Sequence, residues 1–122
     1  FSMMDMDTCT FEDNAVTGWP NKDLRNHISR VIGQYARNYK YIYVGITSRT
    51  EKRLGEHCRD DRFIWERCVI KYKSESERNV NIIEGWFIND DRTVNKYIGW
   101  SHLKDSPCYL YILLGNKKKK CN

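Results

Sequence analysis

Apolar residues recur with two different periods along this chain, and each change of period marks an element. Leu24, Ile28, Val31, Ile32, Tyr35, Ala36 and Tyr39 fall three or four apart, the spacing of an amphipathic helix. Asn21, just before them, has the side chain of an N-cap. From Lys40 to Thr47 the β-favouring run Tyr41-Ile42-Tyr43-Val44 predicts a strand, loosened at its end by Gly45. Ser48 with Glu51 has the form of a capping box. A helix is therefore expected to start near Arg49, to run through Arg53, Leu54 and His57, and to end in the charged stretch 59–62.

A second strand over Arg67–Lys73 places Cys68, Ile70 and Tyr72 on one face and Arg67, Val69 and Lys71 on the other. Ser74 and Glu77 form another capping box. The helix after it carries Val80, Ile83 and Phe87, widened by Ile82, Trp86 and Ile88, and ends near Asn89. A loop containing Asn95, Gly99 and Ser101 leads to Pro107 and a last strand, Cys108–Leu114, closed by Gly115. Residues 1–20 show no period and end in the turn signal Trp19-Pro20, so they read as an irregular arm. The order predicts one α+β domain over residues 21–115, a small three-stranded antiparallel sheet flanked by helices, followed by a basic tail over 116–122.

Composition narrows this picture. The length of 122 residues suits one core rather than two, and 40% hydrophobic with 13% aromatic residues is enough to build it. Of the net charge of +5, four units are Lys117, Lys118, Lys119 and Lys120, which leaves +1 for the rest. Bulk charge is thus a weak pointer to nucleic acid, and a terminal lysine run reads first as a solvated tail. Five scattered cysteines (Cys9, Cys58, Cys68, Cys108, Cys121) form no CxxC pair. The expectation is a reduced, intracellular protein without a disulfide framework. Zinc on Cys58, Cys68 and His57 matches no common ligand spacing. No membrane association is expected, since no apolar run approaches a membrane span and no signal segment is recognisable.

Three features carry candidate chemistry. Glu84 has Val80, Phe87 and Ile88 as its helical neighbours. A carboxylate among them must snorkel, pair with a cation of the protein or hold a metal. Arg53 and His57, four apart, share a helix face. They combine a fixed set of donors for phosphate oxygens with a group that carries protons near neutral pH. The plainer alternative is a mixed-charge surface helix. Tyr43 stands two residues before Gly45, where a strand end presents groups to a ligand, although a strand tyrosine is more often packing.

Taken together, the run from Tyr43-Val44-Gly45 through Arg53 to His57 resembles the second half of the GIY-YIG nuclease signature, a Tyr-[Ile/Val]-Gly strand end followed by a helix bearing Arg-x-x-x-His. Glu84-Gly85-Trp86-Phe87-Ile88 looks like that family's metal-binding glutamate helix, and 95–101 like the Asn/Gly segment after it. The family opens with a Gly-Ile-Tyr strand that pairs with the Tyr-[Ile/Val]-Gly strand as a hairpin. Here a helix holds that place, and Gly33-Gln34-Tyr35 copies the letters only inside the helical pattern. Pro107 to Leu113 reads like the missing strand moved to the C-terminus, a circular permutation that puts Tyr111, or Tyr109 on the same face, where the first tyrosine belongs. The alternative is an ordinary strand and no first tyrosine.

The resemblance implies a single-metal endonuclease. Glu84 would hold Mg²⁺ or Mn²⁺, Arg53 would neutralise the phosphoryl oxygens, and Tyr43 would position or deprotonate the attacking water. His57 and a second tyrosine, Tyr111, would complete the proton path. By their place on or beside the same helix, Arg49, Lys52, Arg59 and Arg62 are expected to follow phosphates, and the Lys117–Lys120 tail to add sequence-independent attraction. The expected partner is nucleic acid, DNA before RNA. Nothing resembles a base-reading module, so specificity is expected from a homodimer, a partner protein or structure-selective recognition. Two other readings are a GIY-YIG-like binding domain with weakened catalysis and a small protein-interaction domain.

Overall fold

The computed structural model describes residues 9–95 and 101–120. The first eight residues of the expected arm, Gly99 and Cys121 lie outside them. The chain runs β1 (Thr10–Val16), α1 (Lys22–Tyr35), β2 (Tyr41–Thr47), α2 (Thr50–Asp60), β3 (Phe63–Ile64), β4 (Arg67–Ser74), α3 (Glu77–Phe87), β5 (Cys108–Gly115) and β6 (Lys117–Lys118). The α+β class holds, but the sheet is four-stranded and mixed, in the order β1-β4-β5-β2. β5 pairs antiparallel with both β2 and β4, and β1 adds to β4 in parallel. β3 and β6 form a separate two-stranded ribbon.

The extra strand corrects the expected irregular arm. Glu12, Asp13 and Asn14 obscure the alternation of β1, and what fixes it is distant in sequence. Both carboxylate oxygens of Glu12 accept from Arg67 on β4, at 2.6 and 2.8 Å. Arg67 in turn lies over the rings of Tyr35 and Tyr39.

Alternation along the strands sorts side chains cleanly onto two faces. On one, Val44, Ile46, Val69, Leu110 and Ile112 pack under Ile28 and Ile32 of α1 and Val80 and Ile83 of α3. On the other, Tyr43, Tyr111, Leu113, Cys68 and Ile70 pack with Leu54 and Cys58 of α2 and with Trp65. The β4–β5 register slips by one residue between Ile70 and Tyr72. This bulge at Lys71 turns Tyr72 to the aliphatic face, away from the Cys68–Ile70 face predicted for it.

Local chemistry sets the helix starts, with two corrections. Asn21 caps α1 as expected, its Oδ1 accepting from the Leu24 amide at 2.9 Å. At α2 the cap position is Arg49 rather than Ser48, and the Thr47 hydroxyl accepts from the Arg49 amide. At α3, Ser76 caps the helix, while Ser74 remains in β4 and accepts from the Ser76 amide and the Asn79 side chain.

The lysine run is built into the fold rather than left as a tail. Lys118 lies over the rings of Tyr41 and Phe63. Lys119 Nζ donates to the Cys58 carbonyl at 2.5 Å, at the C-terminal end of α2 where a cation suits the helix dipole. The described cysteines (Cys9, Cys58, Cys68 and Cys108) are buried and none is in a disulfide. Among the described residues no helix is long and apolar enough to cross a membrane.

Candidate functional site

Gly45 is where the site begins. A side chain there would run into the Tyr111 hydroxyl and the edge of the Tyr43 ring. Tyr111 lies opposite Gly45 in the β2–β5 pairing, so the glycine leaves room for two phenols to close over one strand. Their rings stack at 6.2 Å between centroids.

β2 is an edge strand, and its free edge is covered only in part. The Val94 amide donates to the Ile42 carbonyl. The buried Asn95 side chain then accepts from the Val44 amide (3.3 Å) and donates to the Val44 carbonyl (2.7 Å), standing in for a neighbouring strand. Beyond Val44 the edge opens into a cleft of about 450 Å³, walled by Tyr43, Thr47, Arg53, Glu56, Glu84 and Tyr111, with Ser101 and Leu103 opposite. Ser101 is held by Asn81, whose amide accepts from the Ser101 amide and donates to its carbonyl, both at 2.9 Å.

Four elements therefore supply the walls: β2, α2, α3 and β5. Tyr43, Arg53, Glu84 and Tyr111, chosen from the sequence, meet there. His57 sits behind Tyr111, 3% exposed. Its Nε2 is 2.7 Å from the Tyr111 hydroxyl and its Nδ1 is 2.6 Å from Asp61 Oδ2. Asp61 also accepts from Trp65 Nε1 at 2.8 Å. With Nδ1–H donating to the carboxylate, Nε2 is free to accept from the phenol. His57 touches Tyr43 through an edge-on ring contact at 4.6 Å. Tyr111 is thus the tyrosine that shares the cleft with Tyr43, and the hydrogen-bonded path behind it is Tyr111–His57–Asp61. Tyr109 sits one pair further along β5, opposite Thr47.

Asp61 was missed in the sequence reading, where it sat in the charged stretch taken as the helix end. Its signal was there: it stands four residues after His57, as His57 stands four after Arg53.

Burial and charge shape the acidities. Burial pushes the Glu84 carboxyl up to about 7; it is 8% exposed, and no described residue forms a hydrogen bond or ion pair with it. Burial likewise raises Tyr43, against the nearby Arg53 charge, with Glu84 and Asp61 adding to the rise. Tyr111 is raised well above its usual value, first by burial and then by Tyr43. Burial opposes the charge on Arg53, yet the adjacent Tyr111, Glu56 and Tyr43 leave it more firmly protonated than usual. Asp61 is pushed up by burial and pulled down further by His57, Trp65 and Arg53, so it lies below the usual carboxylate value.

A buried carboxylate opening on a cleft is the donor a hard divalent cation takes, and Glu84 fits that role. Among the described residues no three His, Cys, Asp or Glu side chains converge as a metal cage. An ion on Glu84 would therefore keep most of its water shell.

The expected phosphate-following residues divide. Arg49 and Lys52 line a shallow extension of the cleft beside Arg53, and Arg49 is paired with Asp105 at 3.1 Å. Arg59 does not line the cleft; it pairs with Asp60 near the C-terminal end of α2. Arg53 itself bonds Glu56 at 2.9 Å, so an incoming phosphate competes with that carboxylate. No family model, curated protein or solved structure matches this chain.

Proposed function

We propose that this domain is a divalent-metal-dependent endonuclease of the GIY-YIG type, circularly permuted, that hydrolyses phosphodiester bonds in nucleic acid, DNA first. One observation carries the reading. A phenol pair, a guanidinium and a buried carboxylate from four elements wall a single cleft, with a histidine–carboxylate pair behind one phenol. The permutation draws support from β5, which lies antiparallel beside β2 with Tyr111 opposite Gly45.

In this reading Arg53 binds the non-bridging oxygens of the scissile phosphate and stabilises the charge that grows on them. Phosphate binding displaces Glu56 from the guanidinium. The attacking water gives its proton to the Tyr111 oxygen as the phenol passes its own to His57 Nε2, and Asp61 holds the imidazolium that forms. Burial disfavours the phenolate, which makes this concerted handover through His57 the lower route. Tyr43 orients the water. The P–O bond to the 3′ oxygen breaks, solvent protonates the departing alkoxide, and the products carry 5′-phosphate and 3′-hydroxyl ends, as the resemblance implies. Glu84 would hold the Mg²⁺ or Mn²⁺ ion, which when bound supplies Lewis-acid stabilisation of the phosphoryl group and the leaving oxygen.

Incubation of purified protein with plasmid and Mg²⁺ tests this. Arg53→Ala and Glu84→Gln should each cut cleavage by about a hundredfold or more without lowering the thermal unfolding midpoint. Undiminished cutting by both variants refutes the assignment. DNA binding without cutting by the wild type would favour the non-catalytic reading instead.

A further inference from the structure

A second cleft, of about 390 Å³, opens at the same end of the sheet beside β4, lined by Trp19, Lys73, Ser74 and Asn79 together with Thr17, Gly18 and Glu75. Trp19 is 74% exposed, against 45% for Phe11 and 38% for Ile64. Its backbone is nevertheless firmly held. Gly18 adopts φ +118°, a conformation L side chains rarely take, and its carbonyl accepts at 2.5 Å from Tyr72, which is buried in the core. Pro20 fixes the chain on the other side, and Asn21 then caps α1. Trp19 is a preset aromatic platform facing solvent.

Register ties this platform to the first cleft. Tyr109 on the central strand β5 lies opposite Thr47 on β2 and opposite Lys73 on β4. Thr47 walls the first cleft and Lys73 the second. Adjacent strands lie about 4.8 Å apart, so the two positions are separated by about 10 Å. That is a few phosphates along a strand that advances about 3.4 Å or more per nucleotide. The half-buried Tyr109 thus stands in register between a residue of each cleft.

We infer that Trp19 and Lys73 form a stacking subsite for an unpaired nucleobase of the same strand whose phosphodiester enters the Tyr43–Glu84 cleft. This rests on the nuclease reading for the strand's identity and extends it to the kind of substrate. An aromatic face with an adjacent cation is the usual means of holding single-stranded nucleic acid without reading sequence. A paired base has both faces covered and cannot use it. Glu75 repels phosphate, which favours a base rather than the backbone over the platform, while Lys73 meets the neighbouring phosphate.

The test uses the full chain carrying Glu84→Gln, so that nothing is cut during binding, and compares it with the same chain carrying Trp19→Ala or Lys73→Gln. The probes are a short labelled oligothymidylate and a blunt duplex of equal length. Oligothymidylate should bind and quench tryptophan fluorescence. Trp19→Ala should weaken that binding by about tenfold to a hundredfold and remove most of the quench, while duplex binding changes less than about twofold. Unchanged oligothymidylate binding, or equal losses on both probes, overturns the subsite. Unchanged thermal unfolding of the exposed-site variants shows that folding is not the cause. Cutting by the wild type is scored separately. A chain that never cuts but shows the selective loss keeps the subsite and loses the nuclease reading; one that cuts and ignores Trp19→Ala loses only the subsite.

Discussion

The two faces of the one sheet are built to different ends. Under α1 and α3 the packing is almost wholly aliphatic: Ile28, Ile32, Val44, Val69, Ile83, Leu110 and Ile112 are sealed from solvent. Under α2 the same strands turn Tyr43, Tyr111 and Cys68 inward, and His57 is buried among them beside Trp65. The first face gains its free energy mainly from burial. The second buries polar groups, and it does so at a tolerable cost because each finds a partner: His57 with Tyr111 and Asp61, and Trp65 with Asp61. One sheet thus carries a stabilising face and a chemical face, and a single period-2 alternation separates them.

Breaking the stabilising face should have the largest effect. Ile112→Ala on the central strand removes a fully buried side chain and should cost about 2–5 kcal/mol in a urea unfolding experiment, with cleavage lost only as the fold is lost. A smaller and opposite pattern should follow from the chemical face. Asp61→Asn leaves the packing in place but removes the charge that, in the proposed mechanism, would hold the imidazolium formed at His57. It should lower kcat by about tenfold to a hundredfold while moving the unfolding midpoint little. An equal loss of stability in the two variants would erase the distinction.

The mildest test is pH. Burial raises the Glu84 carboxyl to about 7 in the folded chain, so the folded state favours the protonated form. The stability it contributes is fully present below about 4.5 and is lost as pH rises through about 7. Glu84→Gln should therefore be more stable than the wild type at pH 8, by about 1–2 kcal/mol, with the gap closing towards pH 5. Added Mg²⁺ should close it at pH 8 by binding the wild-type carboxylate. A gap independent of pH would mean that Glu84 is not a burial-strained acid.

Much of this architecture was legible in short stretches of residues. The α1 stripe with its Asn21 cap, the Tyr41–Thr47 strand, the helix carrying Arg53 and His57, and the last strand all stand as expected, because each depends on contacts a few positions apart. What was misread depends on distant partners. β1 is held by Arg67, fifty-five positions after Glu12; nothing within Thr10–Val16 announces that. Tyr72 changes face at a bulge that the letters of β4 do not mark. Ser76 rather than Ser74 caps α3 because β4 keeps Ser74 as its last residue. The lysines at the end looked like a solvated tail only because the aromatic rings and helix end that receive them lie far away in sequence.

The letters alone determined the three helices, the three longer strands after residue 20 and the short list of chemistry-bearing side chains, since backbone hydrogen bonding and side-chain period act over one or two turns. Tertiary structure decided which of those side chains share a cleft. That depended on strand register, on a glycine that lets two phenols close over one strand, and on two buried asparagines, Asn95 covering the β2 edge and Asn81 pinning the opposite wall. These are contacts between segments separated by twenty to more than fifty positions, and no local pattern encodes them.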